Sequence, residues 1–159
     1  MILIGVSLLV LALDQFTKFL VVKSLVLNQS VPLFSDILCL TYTQNTGTAF
    51  GLLANLDLAI RIPFFIAITL VAGFIVYTYQ RLIPAGRNLA RVALGLIWGG
   101  AMGNFVDRIF NGRVIDFIDV GFHQCRFYVF NVADSCITIG LVFLLCEFFF
   151  LKPKVEKTV

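Results

Sequence analysis

Residues 89–108 read LARVALGLIWGGAMGNFVDR, and this stretch decides what kind of fold the chain can adopt. From Leu89 to Val106 the side chains are apolar or small, apart from Arg91 near the start and Asn104 near the end. A helix needs about 20 such residues to cross ~30 Å of hydrocarbon. Gly95-x-x-x-Gly99 and Gly99-x-x-x-Gly103 put small residues on one side, the pattern of a close helix–helix contact in a membrane. The stretch closes on Asn104, Asp107 and Arg108, at i, i+3 and i+4, so one helix face carries an amide, a carboxylate and a guanidinium together. Ionisable groups inside a membrane are costly, and each calls for a partner and a function. An ion pair with a helix-end amide is the plainer reading of the same three residues.

Three further apolar stretches fit this account: Ile2 to about Val22, interrupted by Asp14 and Lys18; Ile62 to Tyr79, bracketed by Arg61 and Arg81; and Val132 to Leu151. Spans are therefore expected at about 2–22, 62–79, 89–106 and 132–151 of a single membrane-embedded domain, 1–159. Composition agrees, with 60% hydrophobic residues, 13% charged and 17 Phe. The mean hydropathy is +0.98, whereas a soluble domain carries roughly twice that share of charge. A net charge of +3 is too small to suggest a nucleic-acid partner. The first stretch has no basic leader segment and no small-residue cleavage site, and it holds a carboxylate, so it reads as a retained span.

The short loops set an expected orientation. Arg81, Arg87 and Arg91 lie between or beside the second and third spans with no acid among them, and Lys152, Lys154 and Lys157 follow the fourth with only Glu156. The positive-inside rule places both groups, and both termini, in the cytoplasm. An outer segment of about 25–58 and an outer loop of about 109–130 then face away from it, with Asp36, Asp57, Asp107, Asp116, Asp119 and Asp134 in or beside them. Glu147 is expected as an interfacial residue at the inner end of the fourth span. Leu38 to Thr43 alternates with period two, as a half-buried strand does, and Phe127 to Phe130 is β-prone. A small sheet over the outer helix ends is expected, with Phe127–Phe130 either pairing with the first strand or resting on the membrane surface.

The other polar residues fall into groups. Asp14 and Lys18 are four apart and share a helix face. Asn131 and Asp134 read locally as an N-cap and an acid at N3, which suits the helix dipole. Asp116 and Asp119 are each set among β-branched and aromatic residues. A carboxylate in such surroundings, brought against a second one, shares a proton with it, and the two can divide general-base and general-acid work on water. About fifteen residues separate Asp116 from the start of the fourth span, enough to return and place Asp134 beside it. The four cysteines form no C-x-x-C pair, and the single His123 has only Cys125 nearby, so no metal site is expected. Cys39 and Cys125 both fall outside the spans, and their oxidation state is open; small buried hydrophobes is the plain reading of the cysteines.

These groups resemble the motif set of the lipoprotein signal peptidases, also called signal peptidase II. Asp14-Gln15-Phe16-Thr17-Lys18 is similar to D-Q-x-[ST]-K, and Asn45-Thr46-Gly47-Thr48-Ala49-Phe50 to N-x-G-x-A-F. Gly103-Asn104-Phe105-Val106-Asp107-Arg108 is similar to G-N-x-x-D-R, Val114-Ile115-Asp116-Phe117 to V-x-D-F, and Phe130-Asn131-Val132-Ala133-Asp134-Ser135 to F-N-x-A-D-S. The five motifs stand in family order from residue 14 to 135. Thr48, where alanine is common, and Phe105-Val106 are mild departures.

The resemblance implies an α-helical integral membrane protein of four transmembrane helices, with a small extracytoplasmic β-cradle and a short outer helix. It implies an intramembrane aspartic endopeptidase of the bacterial inner membrane, with no cofactor, that removes the signal peptide of prolipoproteins just before the diacylglyceryl-modified cysteine. Carried onto this chain, Asp116 and Asp134 become the catalytic pair. Asn45, Asn104, Arg108 and Asn131 line the site and hold substrate backbone, Asp14 supports it through polar contacts, and Asp107 is a structural partner. Asp119 falls off the motif. The expected partners are diacylglyceryl-modified prolipoproteins and membrane lipids, and the expected state is a monomer with its site near the outer face. Two other readings stay open from the residues alone: a small transporter or proton-conducting subunit, and a lipoprotein-binding factor without activity. Against the first, the charges gather at one membrane face and the halves show no repeat.

Overall fold

A computed structural model describes residues 1–35, 37–47, 57–122 and 125–150, with the side chains of Cys125 and Phe150 left aside. Helix α1 (Ile2–Ser24) leads to strands β1 (Ser30–Phe34) and β2 (Leu38–Asn45); α2 (Leu58–Leu82) and α3 (Asn88–Asn111) follow. Strands β3 (Val114–Phe122) and β4 (Cys125–Arg126) then precede α4 (Val132–Phe150). The four helices are long and apolar enough to span a membrane.

Helix α1 shows how the bundle is organised. Its buried residues are Leu3, Ser7, Val10, Asp14, Lys18 and Val21, three or four apart, so one stripe carries its polar groups inward. Phe16 and Phe19, off that stripe, are exposed, as are Phe74 on α2 and Phe148 on α4. Polar groups inside and large apolar groups outside is the arrangement that lipid, not water, favours. Helix α3 is central and packs against all three others. Its small residues form the contact face expected from the spacing: a methyl group at Gly99 would lie 2.7 Å from the Ser7 carbonyl oxygen of α1. Ser7 Oγ donates to the Gly95 carbonyl across the same seam at 3.1 Å.

The four strands form one antiparallel sheet in the order β1-β2-β3-β4. Tyr42 of β2 and Phe117 of β3 bury against Val21 of α1, which seats the sheet on one end of the bundle. Gly112, in the left-handed region at φ 67°, ends α3 and turns the chain into β3. Between Leu40 and Thr43 the β2–β3 register shifts, so β2 bulges just where it passes Asp116.

Several expectations change. The partner of β2 is β3, within what was expected as the outer loop of about 109–130, and not Phe127–Phe130, of which only Phe130 bridges to Ile118. Helix α2 starts at Leu58 instead of Ile62, because Asp57 caps it by accepting from the Ala59 N–H. Arg61 is not a bracket at the span's edge; it is buried, and its guanidinium donates to the Gly112 carbonyl at 3.2 Å. Glu147, expected near the inner end of the fourth span, is buried against the protein at 4% exposed. Among the described residues no short helix stands beside the sheet. Residues 48–56, Asp36, His123 and the lysines at 152, 154 and 157 lie outside those described.

Candidate active site

The polar residues singled out in the sequence converge at the sheet end of the bundle. Lys18 is the first organising group. Its ammonium is 2% exposed, lies 2.7 Å from an Asp14 carboxylate oxygen and 2.8 Å from Asp107 Oδ2, and donates to Asn104 Oδ1 at 3.0 Å. Three acceptors satisfy its three N–H donors. Two carboxylates for one ammonium is workable here because both acids have other donors. Asp14 Oδ1 accepts from the Ala133 N–H at 2.9 Å. Asp107 accepts from the Gln15 amide at 3.1 Å and from the Ile115 N–H at 3.2 Å. One cluster therefore ties α1 to α3, to the start of β3 and to the first turn of α4. Gly103 makes room for it, since a methyl group there would lie 2.5 Å from Asp14 Oδ2.

Lysine has donors only, so Asn104 must turn its oxygen to Lys18 and its NH2 the other way. That NH2 donates to Asp134 Oδ1 at 2.7 Å. Asn131 Nδ2 also reaches Asn104 Oδ1, at 3.1 Å, and donates to Asp116 Oδ1 at 2.7 Å. Asn131 and Asp134 make the reciprocal cap read from their spacing. Asn131 Oδ1 accepts from the Asp134 N–H at 2.9 Å, and Asp134 Oδ2 accepts from the Asn131 N–H at 3.3 Å. Capping and site-building are one arrangement here, not rivals.

Asp116 is presented by β3 and is 3% exposed. Burial, and then the charge of Asp134, push its carboxyl up to about 7, against hydrogen bonds from Asn131 and Asn45 and the charge of Lys18. Asp116 and Asp134 share the wall of one cavity of about 530 Å3 with Asn45, Asn104 and Arg108. The rest of that wall is largely apolar, from Phe127 to Phe130 and along α4 at Ile137 and Ile139. The Arg108 guanidinium stacks on the Phe65 ring, 4.1 Å from its centroid, and donates to the Asn104 carbonyl at 3.2 Å. Its Nε has no hydrogen-bond partner among the described residues.

The structure thus brings together Asp116, Asp134, Asn45, Asn104, Arg108 and Asn131, with Asp14 buried one layer behind. Asp119 is not with them: it pairs with Arg126 at 2.7 Å and accepts from the Thr41 hydroxyl at 2.8 Å. Asp107 pairs with Lys18, not with its helical neighbour Arg108. Sequence reasoning missed Gln15 as a donor to Asp107, for which the motif position was the only signal. The apolar wall has no local signal either: a β-prone Phe127–Phe130, open to strand pairing or to the membrane surface, does not by itself point to a cavity.

Two acids in the wall of one cavity, at the end of four helices long and apolar enough to cross a membrane, form a candidate site for carboxylate chemistry of the kind a membrane-embedded enzyme uses. The family model for signal peptidase (SPase) II matches residues 6–150, and the chain belongs to that family, aspartic peptidases that cleave signal peptides from prolipoproteins. It is 42% identical over 144 residues to the lipoprotein signal peptidase of Syntrophotalea carbinolica, covering 91% of this chain and 88% of that one. It is 45% identical over 148 residues to that of Brevibacillus brevis, covering 91% and 92%. A bacterial membrane enzyme solved by the in meso method at 2.3 Å superposes with a TM-score of 0.79 at 31% identity, covering 99% of this chain and 93% of that one. A second, at 1.9 Å, gives 0.77 at 29% identity, covering 94% of each. The protein is accordingly a multi-pass inner-membrane protein.

Proposed function

We infer that Asp116 and Asp134 are the catalytic pair with which this chain cuts a diacylglyceryl-modified prolipoprotein before its lipidated cysteine. The observation that carries the reading is the shared cavity wall, where each acid holds its own asparagine NH2 at 2.7 Å. Asp116 keeps a proton near neutral pH, its carboxyl standing at about 7. Asp134, with both oxygens accepting N–H bonds in the first turn of α4, takes the part of base. A water between them loses a proton to Asp134 and adds to the scissile carbonyl, while Asp116 gives its proton to the oxygen that becomes tetrahedral. On collapse the C–N bond breaks, the amine takes the proton from Asp134, and Asp116 regains its own.

Arg108 and Asn45 stand in the same wall, suited to hold substrate carbonyls on either side of that bond. The apolar wall suits a substrate whose acyl chains stay in the bilayer. Arg81, Arg87 and Arg91 lie at the opposite end of the helices, which supports an outward-facing site and both termini in the cytoplasm; the proposed working state is a monomer among membrane lipids. The test is gel-shift cleavage of diacylglyceryl-modified prolipoprotein by purified wild type, Asp116→Asn and Asp134→Asn, with a chelator present. Cleavage by wild type, with both variants folded and inactive, upholds the pair. Near-normal cleavage by either variant removes that residue from the chemistry.

A further inference from the structure

At the other end of the bundle a second cavity, of about 170 Å3, is lined by Tyr79, Leu82, Arg87 and Glu147 among others. Arg87 stands at the start of α3, twenty residues before Asp107, so this cavity lies about 30 Å along the helix from the aspartates. Glu147 is 4% exposed. Its Oε1 accepts from the Arg87 guanidinium at 3.3 Å, but its Oε2 is buried with no hydrogen-bond partner among the described residues. A carboxylate oxygen left unmet in an apolar setting is costly, and such groups in folded proteins have a donor. Among the described residues that donor is missing, and the cavity that Glu147 lines is where one can enter. The lip is apolar: Leu82 is 77% and Tyr79 40% exposed, on a helix that faces lipid. Arg91 holds the loop below by donating to the Pro84 carbonyl at 3.1 Å.

We propose that this cavity binds a phospholipid headgroup bearing a primary ammonium, a phosphoethanolamine headgroup, with the ammonium on Glu147 Oε2 and the phosphate beside Arg87. The chemistry selects among headgroups. An anionic group without an amine would meet the Glu147 carboxylate with like charge and leave Oε2 unmet. A trimethylammonium carries positive charge but no N–H to donate. A primary ammonium supplies both, and the guanidinium's planar fork suits the phosphate that follows it. Acyl chains would descend past Leu82 along the outer face of α2. This site is independent of the peptidase reading, since none of its residues reaches the aspartate cavity.

The test is competitive lipid binding to the purified full-length chain in detergent, read by native mass spectrometry. Equimolar phosphatidylethanolamine, phosphatidylcholine and phosphatidylglycerol are offered together. Phosphatidylethanolamine should be retained about tenfold over either competitor, the factor that one charge-assisted hydrogen bond supports. Glu147→Gln should bring the three near parity while prolipoprotein cleavage in detergent stays unchanged. The headgroup comparison on wild type stands alone should the variant fail to fold. Equal retention of phosphatidylcholine overturns the proposal. So does an unaltered preference in folded Glu147→Gln, or one seen only after removal of residues 151–159. Soluble ethanolamine phosphate at the same concentration should not displace the lipid; displacement would make the ligand a free phosphate ester and end the lipid assignment.

Discussion

Lys18 donates to Asn104 Oδ1 at 3.0 Å, and through that bond a buried charge sets the direction of an amide on the far side. With its oxygen held by Lys18, Asn104 can present only NH2 to Asp134. Lys18→Met should therefore do two kinds of damage. It leaves Asp14 and Asp107 without their shared counter-charge, a loss on the order of 3–5 kcal/mol for a broken buried pair. It also removes one of the two donors, Lys18 and Asn131, that hold the Asn104 oxygen away from Asp134, and so loosens the amide that Asp134 accepts from. The expected outcome is a lower thermal midpoint and loss of cleavage. Asp107→Asn, which removes one of the two acids and keeps Lys18 paired with Asp14, should cost less stability and retain more activity. Thermal melts and cleavage rates of both variants check this, and a Lys18→Met chain as stable and active as wild type would remove Lys18 from the account.

The pH dependence follows from Asp116. Its carboxyl is raised to about 7 by burial first and by the Asp134 charge second. The folded state therefore holds a proton that the unfolded chain has already released above about pH 4. Stability from this group is present below the unfolded value and falls as pH rises from about 4 through 7. Asp116→Asn, which cannot ionise, should be more stable than wild type at pH 8, by on the order of 2–4 kcal/mol, with the gap closing below pH 4. The measurement is a pair of denaturation series in one detergent across that window. Cleavage by wild type, in turn, should decline on the alkaline side with an apparent midpoint near 7, a value belonging to the coupled pair. An activity flat from pH 6 to 9 would contradict Asp116 as the acid.

Those groups were legible in the sequence to differing degrees, for physical reasons. A bilayer demands long apolar runs, so all four spans could be read from composition, and only their ends moved. Asp14 and Lys18 were readable as a pair because helical periodicity is local. The second partner of Lys18 lies on α3, and no local rule reaches that far. Asp116 and Asp119 looked equivalent as two acids in one β-prone run. Three residues apart in a strand, they face opposite sides of the sheet, one toward Asn131 and the other toward Thr41 and Arg126. That distinction needs β3 to be read as a strand, and two acids three apart break the period-two pattern that would mark it as one.

Gly103 offers a test of packing distinct from any charge change. A methyl group there would sit 2.5 Å from Asp14 Oδ2 and 3.4 Å from the Ala133 Cβ. Gly103→Ala should push Asp14 off the Ala133 N–H, unsettle the first turn of α4 that carries Asp134, and cost about 1–3 kcal/mol through overpacking. Gly5→Ala is the control, since a methyl group at Gly5 meets nothing within 4 Å. Cleavage should fall at least tenfold in the first and stay near wild type in the second. Equal activity in the two would mean that Asp14 does not hold α4 in place for catalysis.

Asp119 gives the sharpest control on the catalytic pair, because it is a buried acid on the same strand with a different set of partners. Its Oδ1 accepts from Arg126 Nε at 2.7 Å and its Oδ2 from the Thr41 hydroxyl at 2.8 Å. Both bonds tie the edge of the sheet together and neither reaches the cavity. Asp119→Asn keeps the shape and one acceptor oxygen but loses the charge that Arg126 meets. With Arg126 on the solvent side, the expected cost in stability is small and is diminished further by salt. Cleavage by Asp119→Asn should stay within a few-fold of wild type under conditions where Asp116→Asn is inactive, measured on the same lipidated substrate. If Asp119→Asn is as inactive as Asp116→Asn while folded, the acid and its partner have been assigned to the wrong face of β3.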